Sequence, residues 1–418
     1  MKKIYIERIL SGLFIPLSLV FFLQSKALAD ECINCHRELD DELKVPAEAF
    51  QMDVHQKFGL NCTTCHGGNA EEGDIDVAKD KSFKGVPLRK DIPEFCGSCH
   101  SNSLYMRKFN PNLRFDQLEL YWTSQHGQLL KTGDTKAAVC TDCHGIHGIL
   151  EPSHPKSWVF PWNVPATCGH CHSNKEYMKD YSISVSQTED YKQSVHAKAL
   201  LEKKDLSAPV CNDCHGNHGA APPEVTSIGF VCRQCHPSAG ELFSESPHKA
   251  AYDELGISEC EACHGNHKIL PPSDEMLGTG EGAVCIECHD PESEAYKIAT
   301  TIKDELDDFK SKMLNAENKL ERADKQGVEV SDAKFRLQEA HTALIQVRNL
   351  THSFSLDKIE EKIKEGTNII AEVSEAGDSA LREATFRKRG LIIATFFIFL
   401  LAIALLFKIK QIEKKIPQ

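Results

Sequence analysis

A five-residue motif recurs nine times in the first 289 residues of this chain and uses every cysteine in the sequence. The 18 cysteines form nine Cys-x-x-Cys pairs, and a histidine directly follows each pair. Chance does not account for nine such histidines when the 418 residues contain only 20. The motifs, numbered one to nine below, are Cys32, Cys35 and His36; Cys62, Cys65 and His66; Cys96, Cys99 and His100; Cys140, Cys143 and His144; Cys168, Cys171 and His172; Cys211, Cys214 and His215; Cys232, Cys235 and His236; Cys260, Cys263 and His264; and Cys285, Cys288 and His289.

Cys-x-x-Cys-His is the attachment motif of c-type haem, in which two thiols bind the porphyrin and the adjacent histidine binds the iron. A disulfide framework needs no histidine, structural zinc needs two paired knuckles, and a thioredoxin-like pair would occur once. The repeated motif therefore predicts nine covalently attached haem c groups. Their attachment requires an oxidising compartment outside the cytoplasm.

Two apolar segments predict how the chain meets a membrane. Residues 1–29 have a basic start, an apolar stretch from Ile9 to Leu23 and the small-x-small site Ala27-Leu28-Ala29, which is typical of a cleaved signal peptide. An uncleaved anchor is the alternative. Leu391 to Phe407 carry no charge and have basic residues on both sides, which favours a transmembrane helix over a buried core helix. We predict a transmembrane helix with a basic flank over 387–408, a cytoplasmic tail over 409–418, and a haem domain exported to the periplasmic side of the bacterial inner membrane.

Composition divides the rest of the chain into two domains. Residues 30–292 contain every cysteine and leave fewer than 30 residues per haem, so the porphyrins must form the core of this nonahaem domain. Residues 293–386 lack cysteine, and their apolar residues follow helical spacing, with Gly327 and Ser331 predicting a stop and a restart. The apolar positions are Ile298, Ile302, Leu306, Phe309, Met313, Ala316 and Leu320, followed by Leu337, Ala340, Leu344 and Val347. The predicted fold is mainly α with extensive loops: repeated di-haem modules, then a long helical hairpin or stalk, then one transmembrane helix.

The haem domain repeats internally, and the repeats carry additional histidines. Three motifs extend to Cys-His-Gly-x-His, and a lone histidine precedes motifs two, four, six and eight. Each iron needs a second axial ligand beyond its own motif, so these recurrent histidines are the candidate distal ligands. They are His55, His126, His147, His196, His218, His248 and His267.

Seven distal ligands leave two of the nine irons without one. His341 and His352 are 11 residues apart, close to three helical turns, so one helix face could present both to two haems. The alternative is that both face solvent. His154 has no counterpart in the other repeats, and His170 lies inside its own Cys-x-x-Cys loop. Met106 and Met178 also recur, but we expect them to pack against porphyrin.

The Cys-His-Gly-x-His repeats over residues 30–290 resemble the multihaem c-type cytochromes of bacterial respiratory chains, a group that includes cytochrome c3-like and octahaem reductase-like proteins. The exported haem domain with one membrane anchor is similar to the c-type subunits of quinol-oxidising respiratory complexes. The paired histidines predict haems that are mostly bis-histidine and of low potential.

These observations predict an electron-transfer protein or subunit. It would accept electrons from membrane quinol or a quinol-oxidising membrane subunit and pass them to periplasmic cytochromes or a terminal reductase. The formal charge of −13 argues against a nucleic-acid partner and favours a basic one. The helical region is a further candidate surface for self-association. The alternative is a multihaem reductase or oxidase, with an open-coordinate haem that acts on a small nitrogen or sulfur compound. The second haem is then a candidate site, because its unit lacks the extra histidine.

Overall fold

The computed structural model describes residues 30–40, 43–45, 47–222 and 228–414, and the predicted signal peptide lies outside these ranges. Within them the chain forms helices, turns and loops and no strand. The prediction of a mainly α fold with extensive loops is confirmed.

The helices of residues 30–292, called the haem region below, are short, and none of those in the described ranges is longer than nine residues. Short 3₁₀ segments at Arg89–Asp91, Asp274–Met276 and Val284–Glu287 and a π-helical turn at Lys198–Glu202 accompany them. The helices are α1 Glu31–His36, α2 Ala47–Gln51, α3 Val54–Lys57, α4 Cys62–His66, α5 Ile75–Ala78, α6 Ile92–His100, α7 Ser103–Met106, α8 Gln117–Thr123, α9 Gln125–Lys131, α10 Cys140–His144, α11 Val164–His172, α12 Lys175–Met178, α13 Gln187–Gln193, α14 Val195–Ala197, α15 Cys211–His215, α16 Ile228–Arg233, α17 Pro237–Ser244, α18 Pro247–Leu255 and α19 Glu261–His264.

Seven of the nine attachment motifs end a helix at their histidine, so both cysteines and the histidine lie within one or two helical turns. In four of them a glycine with positive φ follows at once: Gly67, Gly145, Gly216 and Gly265, with φ between 69° and 85°. Only glycine adopts this conformation without strain, and it ends the helix directly after the histidine. The glycine of Cys-His-Gly therefore has a structural role.

The chain divides into two compact units. The first contains the described residues up to Leu118 together with Leu130–Trp158, and the second contains Glu119–Leu129 and the described residues from Val159 onward. Motifs one to four lie in the first unit. Motifs five to nine and the helical region lie in the second.

The haem region has little apolar core of its own. Its apolar cluster in the described part of the chain has five buried members, Val164, Tyr191, Ala197, Leu200 and Val210. So small a cluster does not hold together a region of this length, which agrees with the expectation that the porphyrins serve as core.

The helical region is a three-helix bundle with a continuous apolar core. Its helices are α20 Glu294–Asp324, α21 Ser331–Leu350 and α22 Leu356–Glu413. Ten of the eleven predicted apolar positions are buried, and Ile298 packs against the same core. A Cβ atom on Gly366 would come within 2.6 Å of Phe309 Cζ, so glycine there lets α22 approach α20 closely. The predicted stop and restart at Gly327 and Ser331 are confirmed.

The helix α22 continues without a break from the bundle into the apolar segment from Leu391 to Phe407. Its most apolar 18-residue window has a mean hydropathy of 2.9 and none of it is buried. At the near end of this segment Arg387 Nη1 donates a hydrogen bond to Gly327 O, at 3.4 Å, in the turn between α20 and α21. The helix is long and apolar enough to cross a membrane, and it fits the predicted anchor.

Candidate haem-binding sites

The histidines of the haem region meet in pairs. A metal–imidazole bond is about 2 Å long and the ring centre lies about 1.2 Å behind the nitrogen, so two imidazoles on one iron have centres roughly 6 Å apart. Among the described residues, seven motif histidines have a second histidine ring at this separation, between 5.9 and 6.3 Å.

Six of these second rings are the repeat histidines, and one is His352 of the helical region. Each pair lies within one compact unit. The pairs and their centroid separations are His66 and His147 at 6.3 Å, His100 and His55 at 6.1 Å, His172 and His126 at 6.1 Å, His215 and His267 at 5.9 Å, His236 and His196 at 6.3 Å, His264 and His352 at 6.2 Å, and His289 and His248 at 5.9 Å.

Burial favours the neutral form of many of these rings. Desolvation lowers the pKa of six of them, and the charge of a nearby histidine lowers each further. A neutral imidazole is the form that binds a metal. The six are His147, His172, His196, His248, His264 and His267.

Several rings are oriented by an oxygen at Nδ1. A carbonyl or carboxylate oxygen can only accept, so the ring donates through Nδ1–H and its Nε2 lone pair remains for iron. The acceptors are Leu43 O for His36 at 2.7 Å, Gly85 O for His66 at 3.0 Å, Ala221 O for His215 at 3.1 Å, Asn349 O for His352 at 2.9 Å and Asp53 Oδ1 for His55 at 2.9 Å.

One backbone hydrogen bond recurs beside the lone histidines and explains their fixed place in the repeat. The residue before the histidine donates its N–H to the carbonyl two residues after a Cys-His-Gly-x-His motif. Val54 donates to Ile149 O at 2.7 Å, Gln125 to Ala220 O at 2.9 Å and Val195 to Ile269 O at 2.7 Å. Three of the four lone histidines, His55, His126 and His196, are thus attached to a motif that lies far along the chain.

The helical region contributes one ring to the seven histidine pairs. α21 ends at Leu350, and His352 lies in the 3₁₀ turn Thr351–Ser353, which stops because Phe354 has a φ of 50°. The expectation that His341 and His352 share one helix face is therefore wrong, since His352 lies beyond the helix. The turn carries His352 to His264, while the Phe354 ring lies over His248 with centroids 3.9 Å apart.

Ion pairs and polar contacts hold the end of the bundle against the late haem motifs. Asp274 accepts hydrogen bonds from Arg348 at 2.8 Å and pairs with Lys310 at 2.6 Å. The Arg348 hydrogen bond, with that of Lys310, lowers the pKa of Asp274 to about 2. Asn349 donates to Ser238, and Lys358 pairs with Glu245.

The predicted ligands outside these seven pairs are His36, His144, His218 and His341. In the described part of the chain neither His36 nor His341 faces another histidine ring at the separation of the seven pairs. His144 lies in the first unit and His218 in the second, and both stay predictions. His154 Nδ1 accepts the N–H of Lys156 at 3.1 Å, so its neutral ring carries the proton on Nε2 and is a poor ligand. His170 is exposed at the surface of α11.

In the first unit the cysteines of successive motifs lie next to each other. Burial and the charges of Asp30 and Cys32 raise the pKa of Cys62, and burial with nearby Cys99 and Cys96 raises that of Cys65. The thiols of Cys96 and Cys140 share a hydrogen bond that lowers the pKa of Cys96 to about 7. Motifs one and two, two and three, and three and four are therefore neighbours.

The second unit repeats this arrangement through motif nine. Thiol hydrogen bonds join Cys168 to Cys211 and Cys232 to Cys260. Burial and nearby Cys232 raise the pKa of Cys214 to about 11. Burial is also the main cause of the raised pKa of Cys263, which lies near Cys285 and Cys288. Motifs five to nine therefore follow one another in space in the order of the chain.

The residues present fit haem c better than a bare metal ion. Among the described residues no group of three or more histidine, cysteine or acidic side chains could enclose an ion. Paired axial histidines beside a Cys-x-x-Cys pair suit an iron whose other four ligands come from a porphyrin.

Sequence reasoning missed Asp53, which accepts the Nδ1–H of His55. The signal was present in the sequence. The first residue of Ser124-Gln125-His126, Ser194-Val195-His196 and Ser246-Pro247-His248 is serine, whereas the first unit has Asp53-Val54-His55.

Comparison with known proteins agrees with the geometry. The family model described as cytochrome c3 matches residues 54–173, and the model described as a doubled CXXCH motif matches residues 255–294. No match is found among curated proteins or among solved structures.

Proposed function

We propose that this chain, a multihaem c-type cytochrome, is a membrane-anchored protein that conducts electrons through nine haems in the order of their motifs within each unit. The observation that carries the proposal is the proximity of cysteines of successive motifs. Each thiol bonds to the edge of its own porphyrin, so neighbouring thiols favour neighbouring haem edges. Close edges allow electrons to pass from haem to haem.

We assign the seven histidine pairs as the axial ligands of haems two, three and five to nine. Two neutral imidazoles on one iron favour a low-spin centre of low potential. The first and fourth haems are bound through His36 and His144, and His218 and His341 remain the proposed distal ligands for haems outside the seven pairs. On this assignment the count of covalent haems is nine.

The anchor would hold the protein at the periplasmic face of the inner membrane. From Leu356 to Leu391, α22 rises by roughly 50 Å at 1.5 Å per residue, so the bundle separates His352 from the membrane by about that distance. Haems eight and nine are then too far from the bilayer to meet quinol directly. Of the two proposed donors, a quinol-oxidising partner subunit that projects from the membrane suits these haems better.

The acceptor would be a periplasmic cytochrome or a terminal reductase. The chain has a formal charge of −13 before any haem propionate is counted. A partner with a basic patch would therefore associate faster than an acidic one, and the rate would fall with ionic strength.

The proposed order can be tested by changing one distal ligand. His196→Met should raise the potential of the seventh haem, because methionine ligation raises haem potentials. When a photo-excited flavin delivers less than one electron per molecule of full-length protein, the electrons should collect on that haem. His154→Gln is the matched control and should show no such collection. Electrons that stay on the other haems of the variant at equilibrium would contradict the continuous path.

A second candidate function is reduction or oxidation of a small nitrogen or sulfur compound at the first haem. The specific observation is that His36 faces no other histidine ring among the described residues, whereas His66 of the second motif faces His147. The candidate open iron is therefore the first haem and not the second. Leu43 O would orient the ring of His36 as the only protein nitrogen on that iron.

Carbon monoxide titration distinguishes the two functions. If all nine irons have two protein ligands, the dithionite-reduced protein should bind almost none. One molecule bound per chain, accompanied by turnover of nitrite, hydroxylamine, sulfite or tetrathionate, would support the enzyme.

A further inference from the structure

Four lone histidines follow a buried polar residue by two positions. Ser124, Ser194 and Ser246 precede three of them, and Asp53 precedes the fourth. All four are at most 6% exposed. The serines are neutral and bond only to nearby backbone: Ser124 Oγ accepts the N–H of Gly127, and Ser194 Oγ that of Ala197. The first unit alone has a carboxylate at this place.

Both oxygens of Asp53 are fully engaged. Oδ1 accepts the backbone N–H of His55 at 2.8 Å and its ring Nδ1–H at 2.9 Å. Oδ2 accepts the N–H groups of Gly148 and Ile149 at 2.8 and 2.9 Å. All four partners are N–H donors, so the carboxylate accepts every one of these hydrogen bonds and carries no proton of its own. The side chain is therefore a buried anion in contact with the His55 ring.

Other histidines whose Nδ1–H donates a hydrogen bond have no carboxylate as the acceptor. His66, His215 and His352 donate to neutral backbone carbonyls. At the opposite extreme, buried His248 Nδ1 has no hydrogen-bond acceptor among the described residues. The distal ligands therefore range from a carboxylate partner at His55 to none at His248.

We propose that Asp53 is a tuning residue that lowers the reduction potential of the third haem. This rests on the proposed ligation of that haem by His55 and His100. An anionic acceptor at Nδ1 makes the imidazole a stronger electron donor to iron, which stabilises the ferric state over the ferrous state. The buried negative charge acts in the same direction.

The consequence for electron flow is a low point in potential at the third haem, between the second and fourth. Electrons would cross this haem without resting on it. It would be among the last centres to become reduced in a stepwise titration. Because the carboxylate also holds Gly148 and Ile149, next to His147, it keeps the distal ligand of the second haem in place at the same time.

Redox titrations of the full-length holoprotein, followed by visible and electron paramagnetic resonance spectra, test the proposal. Asp53→Asn keeps the shape of the side chain and should shift one low-potential transition of the nine upward. Asp53→Ser installs the residue of the other repeats and should shift the same transition. The matched control is Asp213→Asn, which removes a carboxylate beside the sixth haem that accepts the N–H of Val210 and touches no histidine ring. The control shift should be clearly smaller.

Superimposable titrations of Asp53→Asn and the wild-type protein would overturn the proposal, as would a shift no larger than that of Asp213→Asn. If both Asp53 variants lose low-spin iron, Ser194→Asp decides the question, since it should lower the potential of the seventh haem; an unchanged titration would overturn the proposal. His55→Ala separates the two levels of inference. A new high-spin iron supports ligation by His55, whereas an unchanged low-spin spectrum overturns both the ligation and the tuning.

Discussion

Different interactions stabilise the haem region and the helical bundle of this chain. The bundle buries nineteen apolar side chains in one continuous core, while the haem region has a cluster of five in the described residues. The bundle obtains its order from apolar packing between helices. The haem region obtains it from short motif helices, backbone hydrogen bonds between repeats, and the cofactors that its cysteines and histidines are arranged to hold.

In the bundle the residues that stabilise the fold are separate from the functional residues, whereas in the haem region the same residues serve both purposes. A substitution in the bundle core acts on packing, and reaches the haem region through the turn that carries His352 and through the ion pairs and polar contacts beside it. In the haem region the candidate ligands lie where distant segments meet, because a histidine and the ring that it faces come from positions far apart in sequence.

The largest expected effect comes from withholding the cofactor. If the mature protein is produced without haem attachment, residues 30–292 should be unfolded, while the bundle over 294–386 should remain helical. Limited proteolysis with mass spectrometry, combined with circular dichroism, measures this directly. A protease-resistant haem region in the haem-free protein would show that this region folds without its haems and would contradict the prediction.

A cavity in the bundle core should have the next largest effect. Leu306 is fully buried, so Leu306→Ala should lower the free energy of unfolding of the bundle by about 2–5 kcal/mol. Thermal unfolding followed by far-ultraviolet circular dichroism measures the change. Leu314→Ala is the control, since that side chain is 58% exposed, and it should have little effect. Equal losses in the two variants would argue against a packed core.

The contact between the two regions can be tested at one ligand. Because the His352 ring lies 6.2 Å from that of His264, His352→Ala should convert one iron to a high-spin form that binds carbon monoxide. His341→Ala tests the other proposed ligand of this region and should also create one high-spin iron. The control is His154→Ala, because the Nδ1 atom of that ring accepts the N–H of Lys156, and it should leave the spectrum unchanged. An unchanged spectrum in His341→Ala would remove His341 from the proposed ligands.

The smallest effect should come from the ion pairs that join the regions. The folded pKa of Asp274 is about 2, below the usual value of roughly 3.9, so its contribution to stability is complete above pH 4 and is lost as the pH falls towards 2. Asp274→Asn should cost about 1 kcal/mol or less at neutral pH and remove this dependence. Unfolding midpoints between pH 2 and 6 provide the measurement. A variant whose midpoint still falls over this range as in the wild-type protein would assign the acid sensitivity to other carboxylates.

The chemistry of attachment and the periodic helices could be predicted from local sequence. Cys-x-x-Cys-His places its three reactive groups within one or two helical turns whatever surrounds them, so nine motifs indicate nine sites. The apolar spacing from Ile302 to Leu320 determines one buried face, because a helix repeats every 3.6 residues. The repeats also pointed to the lone histidines as ligands, since a residue with a constant place in a repeat has a constant place in each module.

Which histidine meets which motif was decided only by the tertiary structure. His55 faces His100 and not the nearer His66, and His147 reaches back to His66, because backbone hydrogen bonds such as that of Val54 with Ile149 join segments almost a hundred residues apart. Two further features also depend on tertiary structure. Phe354 has a positive φ, which ends a helix that spacing alone would continue, and the Asp53 carboxylate contacts the His55 ring. Local patterns specify what a residue can bind. Only long-range contacts, whose energies come from groups distant in sequence, specify which partner it receives.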